Sequence, residues 1–153
     1  MSSATEPREW LPRPFLDRVI SLVLLVPSAA VLAVAAYLPP SPTGMSTHTQ
    51  LGLGGCTMLQ LTGWPCPMCG MTTTFSLAVR GRLVDAVLNQ PFGVVLFAIT
   101  VGFALVSLVE LVAPRARWRR FWDWLGRKEG WIAAGLLVGL LVGWLYKLAI
   151  VLG

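Results

Sequence analysis

Three apolar stretches constrain this chain more than anything else in it. Val19–Leu38 has no charge in 20 residues, Phe92–Val112 has only Glu110, and Trp131–Leu152 has only Lys147, both near an end. A helix rises about 1.5 Å per residue, so about 20 residues cross a hydrocarbon core about 30 Å thick. The expectation is an all-α membrane protein with spans at 19–38, 92–112 and 131–152. Composition agrees: 56% of residues are hydrophobic and 12% charged, too few polar groups to cover a soluble domain. The first stretch ends in "AVLAVAAYL", whose small residues resemble a signal-peptide cleavage site. Its length and the 18 residues ahead of it favour an uncleaved helix instead.

Basic residues set the expected orientation. Arg8, Arg13 and Arg18 precede the first span, and Arg115, Arg117, Arg119, Arg120, Arg127 and Lys128 lie between the second and third. The segment from Pro39 to Pro91 has only Arg80 and Arg82. The positive-inside rule then puts a tail at 1–18 and a loop at 113–130 in the cytoplasm, with the 44–90 segment and the C-terminus outside. The formal charge of +5 is explained by these flanks and by anionic lipid headgroups, with no nucleic acid. In the 113–130 loop, Trp118, Phe121, Trp122 and Leu125 recur at helical spacing among arginines. This predicts a short helix in the headgroup layer. Glu110 and Lys147 are expected to snorkel to opposite sides, too far apart to pair.

Between the first two spans, Met71, Phe75, Val79, Leu83 and Val87 fall four apart, with Gly81 interrupting. That pattern predicts an amphipathic helical pair at the membrane surface, or a re-entrant half-helix buried among the spans. Asn89-Gln90-Pro91 then opens the second span, with proline tolerated in a first turn. In the third span Gly135, Gly139 and Gly143 form one smooth line along which another helix can approach. A second copy of the chain or another membrane subunit is the expected partner there.

All three cysteines, Cys56, Cys66 and Cys69, fall within 14 residues, and the single histidine, His48, lies just upstream. Three readings compete. An oxidising outer face would let Cys56 pair with Cys66 or Cys69, closing a loop of about ten residues and stabilising by about 2–3 kcal/mol. A C-P-x-C-G turn presents backbone amides to thiolates, so Cys56, Cys66, Cys69 and His48 are candidate zinc ligands, although a second C-x-x-C is missing. C-x-x-C is also the spacing of thiol–disulfide oxidoreductases, with Cys66 and Cys69 as the redox pair and Cys56 resolving. The β-α-β frame of those enzymes is absent from the sequence pattern. A structural disulfide or turn leads, metal follows, and a catalytic dithiol comes third. Zinc is the only cofactor in view.

"CTMLQLTGWPCPMCGMTTTF" followed by "RGRLVDAVLNQP" resembles a family of small bacterial membrane proteins known only as a domain of unknown function. The matching positions are Cys56, Thr62, Gly63, Cys66, Pro67, Cys69, Gly70, Thr72, Gly81, Ala86, Asn89 and, displaced by one, Pro91. The resemblance spans about Cys56 to Gly93. It departs at Thr73, where the family pattern has arginine. It implies a bacterial inner-membrane protein and supplies no reaction. No nucleophile–base pair, carboxylate pair or phosphate loop is evident, so the expected role is a non-enzymatic accessory or scaffold subunit with a cysteine-stabilised hairpin.

Overall fold

The computed structural model describes residues 13–115 and 117–152. Of the expected tail at 1–18, residues 1–12, with Arg8, lie outside the described residues, and 13–18 belong to α1. Every regular element among them is helical: α1 (Arg13–Tyr37), a 3-10 turn (Thr47–Leu51), α2 (Thr57–Thr62), α3 (Met71–Val79), α4 (Leu83–Asn89), α5 (Pro91–Val112) and α6 (Arg117–Leu152). Helices α1, α5 and α6 are each long and apolar enough to cross a membrane. Their outer faces leave Val23, Val26, Leu105, Leu137 and Val142 exposed, a surface that lipid rather than water accommodates. The chain is thus an all-helical, multi-pass membrane protein with a helical cysteine hairpin between its first two spans.

Helix α1 starts at Arg13, six residues before its apolar run. It continues through Pro27, as membrane helices commonly do. Ser21 and Ser28 donate to the carbonyls of Asp17 and Leu24, both at 2.8 Å. The helix stops before Pro39-Pro40, and the hairpin caps its last carbonyls. Arg80 donates to Ala35 O at 3.1 Å and Ala36 O at 2.8 Å, while the Ser76 hydroxyl donates to Leu38 O. Carbonyls that a helix end would leave orphaned in an apolar setting are satisfied this way.

Helix α3 packs against both α1 and α5. Met71 and Phe75 join Ala35 in one cluster, and Leu77 and Ala78 join Ala86 in another. Phe75 meets Phe97 of α5 edge to face at 5.5 Å. Gly93 allows the close approach, since a Cβ there would stand 2.9 Å from Thr74 Cγ2. The expected stripe holds only through Val79. Leu83 is 51% and Val87 43% exposed, while Ala86 is fully buried. Gly81, at φ +76°, turns the chain between α3 and α4, so the fourfold spacing does not carry across. Of the polar residues off the stripe, Thr72, Arg80 and Asp85 are exposed, whereas Ser76, with its neighbours Thr73 and Thr74, is buried. Helix α3 packs against the two spans α1 and α5, while α4 stays largely exposed.

Two further expectations are corrected at the basic end. Segment 113–130 is not a separate interfacial loop, because α6 runs unbroken for 36 residues from Arg117, about 54 Å. Gly126 and Gly130 are its weakest helix formers in that stretch, and neither breaks a helix as proline does. Glu110 does not snorkel. It is fully buried and accepts from the backbone amides of Arg115 at 2.8 Å and Arg117 at 3.2 Å, and from Arg117 Nη1 at 2.7 Å. A carboxylate at the start of α6 meets the positive end of its dipole. Asp17 of α1 pairs with Arg119 of α6 at 3.1 Å, and buried Trp118 stacks edge-on against Phe103 at 5.3 Å. These contacts draw the starts of α1 and α6 to one end of the bundle.

Candidate functional site

The hairpin closes the opposite end. Cys56 is the N-cap of α2, and Gly63, at φ +75°, ends that helix with its amide on Leu59 O at 3.0 Å. The Thr62 hydroxyl accepts from the Trp64 amide at 3.2 Å, reversing the chain into Pro65. A tight turn follows, with the Cys69 amide donating to Cys66 O at 2.9 Å. Gly70, at φ +89°, then opens α3, and the Thr74 amide donates back to Gly70 O at 2.8 Å. Glycine is needed at this point twice over. The left-handed backbone disfavours any side chain, and a Cβ would lie 2.9 Å from Gly44 O and 3.2 Å from Lys147 Nζ.

Side chains from the end of α4, from the α4–α5 junction and from α6 hold this turn in place. Trp144 Nε1 donates to Pro65 O at 2.8 Å, and Gln90 Nε2 to Pro67 O at 3.1 Å. Asn89 Nδ2 donates to Gly70 O at 3.0 Å and Thr74 Oγ1 at 2.9 Å. Lys147 Nζ donates to Asn89 Oδ1 at 2.8 Å and to the carbonyls of Gly44 and Asn89, both at 3.3 Å. Lys147 is 3% exposed, so the expectation that it snorkels is also wrong. Its chain folds inward because the hairpin supplies three oxygens for its three N–H bonds, which the lipid face does not.

The result is one cluster of sulfur. The Sγ atoms of Cys56, Cys66 and Cys69 all lie within 4.8 Å of one another, and Cys66 and Cys69 approach to 3.3 Å. All three are free thiols, not joined in the disulfide that the spacing suggested. Burial pushes the Cys69 thiol up to about 12, whereas the nearby Leu59 amide brings Cys56 down to about 7. Sulfurs bound to one tetrahedral zinc at about 2.3 Å stand about 3.8 Å apart. The observed triangle brackets that spacing, so the three thiols fit a single thiophilic ion with small side-chain adjustments. His48 is not in the cluster; its Nε2 lies 3.3 Å from Gly54 O.

The remaining motif residues divide between turn and edge. Thr72 is exposed beside an apolar groove between α1 and α3, and Pro91 occupies the first turn of α5. Thr73 is buried with its hydroxyl 2.7 Å from that of Thr47. The cation that reaches the cysteine turn is Lys147, brought in from α6. A polar recess of about 440 Å³, lined by Ser41, Gly44, Thr73, Arg82, Asp85 and Asn89, opens beside it. Two of the three aligned glycines are occupied within the chain, since Cβ atoms at Gly139 and Gly143 would each stand 2.9 Å from Phe92; Gly135 is open. Sequence reading missed Gln90, Trp144 and the inward role of Lys147. An ionisable residue inside a span was the available signal.

A family model described as "Protein of unknown function (DUF2752)" matches residues 56–104, from the first cysteine into the middle of α5. Among curated proteins and solved structures, nothing matches the chain. The chain is therefore similar, through its cysteine hairpin and the span that follows, to a family whose function is undefined.

Proposed function

We propose that this membrane protein is a zinc-stabilised accessory module, in which Cys56, Cys66 and Cys69 bind one ion and lock the hairpin onto the bundle. The observation that carries this reading is the convergence of three sulfurs from two separate turns to within 4.8 Å. Soft thiolates select zinc or copper(I) over hard cations. Three protein ligands leave a fourth position for water or for a group from another subunit. The basic end faces the cytoplasm in this reading, and the metal end lies at the outer surface. Glycine-lined packing is chiefly internal, so association with other subunits runs through the hairpin end and the open Gly135 face. The test is metal analysis of protein purified in mild detergent. One zinc per chain is expected, falling to near zero in Cys56→Ser, Cys66→Ser and Cys69→Ser. A wild-type chain that binds no zinc sinks the reading.

A second reading, with Cys56 attacking rather than resolving, rests on the acidified Cys56 and on the Cys66 and Cys69 sulfurs within 4.8 Å of it. In it the Cys56 thiolate attacks a substrate disulfide, releasing one substrate thiolate. Cys66 or Cys69 then displaces the second substrate thiol, leaving an internal disulfide. Alkylation of chelator-treated protein separates the two readings. Cys56 labels faster as pH rises through about 7, and Cys69 stays a slow thiol up to pH 9. Exchange additionally requires that a disulfide substrate oxidise the trio, whereas the zinc module resists such oxidation while loaded.

A further inference from the structure

Lys147 is a cation buried without an anion: among the described residues its partners are two carbonyls and the Asn89 amide oxygen, all neutral. Elsewhere in the molecule a buried charge meets its opposite, as Glu110 meets Arg117 and Asp17 meets Arg119. An unpaired ammonium in a dry site is costly, and such a group marks a place where negative charge arrives. The ammonium is tied to the cysteine turn through two links, both at Gly70. Asn89 bonds both Lys147 and Gly70 O, a Cβ on Gly70 would stand 3.2 Å from Nζ, and Gly70 directly follows Cys69.

We infer that Lys147 is the built-in counter-charge of the thiolate cluster, and that its single positive charge matches the site to a divalent ion. This rests on the zinc reading above. Three thiolates around a divalent ion leave one net negative charge, which one ammonium cancels. The same thiolates around a monovalent ion leave two, one of which stays uncompensated at the membrane interface. The fourth position is then filled by a neutral ligand such as water. Lys147 acts through Cys69 and Gly70 as a positioning residue and does not touch the ion.

The test measures zinc affinity of the full chain in detergent by competition with a chromophoric chelator, with folding checked by helicity and gel filtration. Lys147→Gln keeps hydrogen-bond donors but loses the charge, and its affinity falls by about 10–100-fold, as for other residues behind metal ligands. Lys147→Arg restores the charge and stays within about threefold of wild type. Equal effects of the two substitutions, including no effect, overturn the counter-charge and leave the zinc site standing. A wild-type chain without zinc removes both. A measurement on the unaltered chain covers the case in which Lys147→Gln does not fold. Lys128 and Lys147 are its only lysines, so lysine-selective nitrogen labelling gives two ammonium signals. Zinc shifts the Lys147 signal and not that of Lys128; saturation with zinc that moves neither overturns the inference.

Discussion

The two ends of this bundle solve the same problem differently. At the basic end, Glu110 is fully buried, yet two backbone amides and the Arg117 guanidinium meet its carboxylate. At the cysteine end, Lys147 is nearly as hidden, yet its hydrogen bonds go only to neutral oxygens. The Glu110 charge is answered within the polypeptide. In the proposed reading, the Lys147 charge is answered only when the thiols ionise around a metal. The contrast teaches that burial of a charge near a span's end does not by itself mark function; the chemistry of its partners does.

The largest effect expected from breaking the comparison is at the complete end. Glu110→Ala leaves Arg117 and two amides without their acceptor and lowers stability by about 3–5 kcal/mol, read by denaturant titration in detergent. Zinc affinity stays unchanged, because the two ends share no residue. Chelating the metal is the matching operation at the other end. At zinc concentrations about 100-fold above its dissociation constant, removal costs about 2.7 kcal/mol, seen as a lower midpoint for wild type. Cys69→Ser starts from the lower midpoint and does not respond to chelator.

How far the sequence alone reached follows the same division. The three spans were readable because hydrophobic length is a local property, and the short helices were readable around Gly81 and Pro91. The cysteine trio was readable as a group, but its ligand geometry was not. That depends on Trp144 and Gln90, which reach Pro65 and Pro67 from elements far along the chain. Lys147 looked like an interfacial lysine because nothing near it in sequence announces Asn89 or Gly44. His48 looked like a fourth ligand because it is close in sequence, while the 3-10 turn directs its ring toward Gly54. Continuity of α6 through 117–130 was hidden by aromatic and basic residues that suit an interfacial helix equally well.

Smaller effects sharpen the picture. Gly70→Ala forces a Cβ into left-handed backbone 2.9 Å from Gly44 O, and costs about 1–3 kcal/mol; both the midpoint and zinc occupancy fall. In α6, Gly139→Leu drives a side chain into Phe92 and costs about 1–3 kcal/mol. Gly135→Leu changes stability by less than about 0.5 kcal/mol, since a Cβ at Gly135 meets nothing. If Gly135→Leu instead dissociates a purified oligomer, its open face is the one that receives a partner.

The most direct measurement is X-ray absorption at the zinc edge of the purified, zinc-loaded chain. The account predicts three sulfur ligands at about 2.3 Å and one lighter oxygen or nitrogen neighbour, and no zinc edge above background in Cys56→Ser carried through the same loading. A shell without sulfur, or a wild-type sulfur count unaffected by loss of any one cysteine, contradicts it.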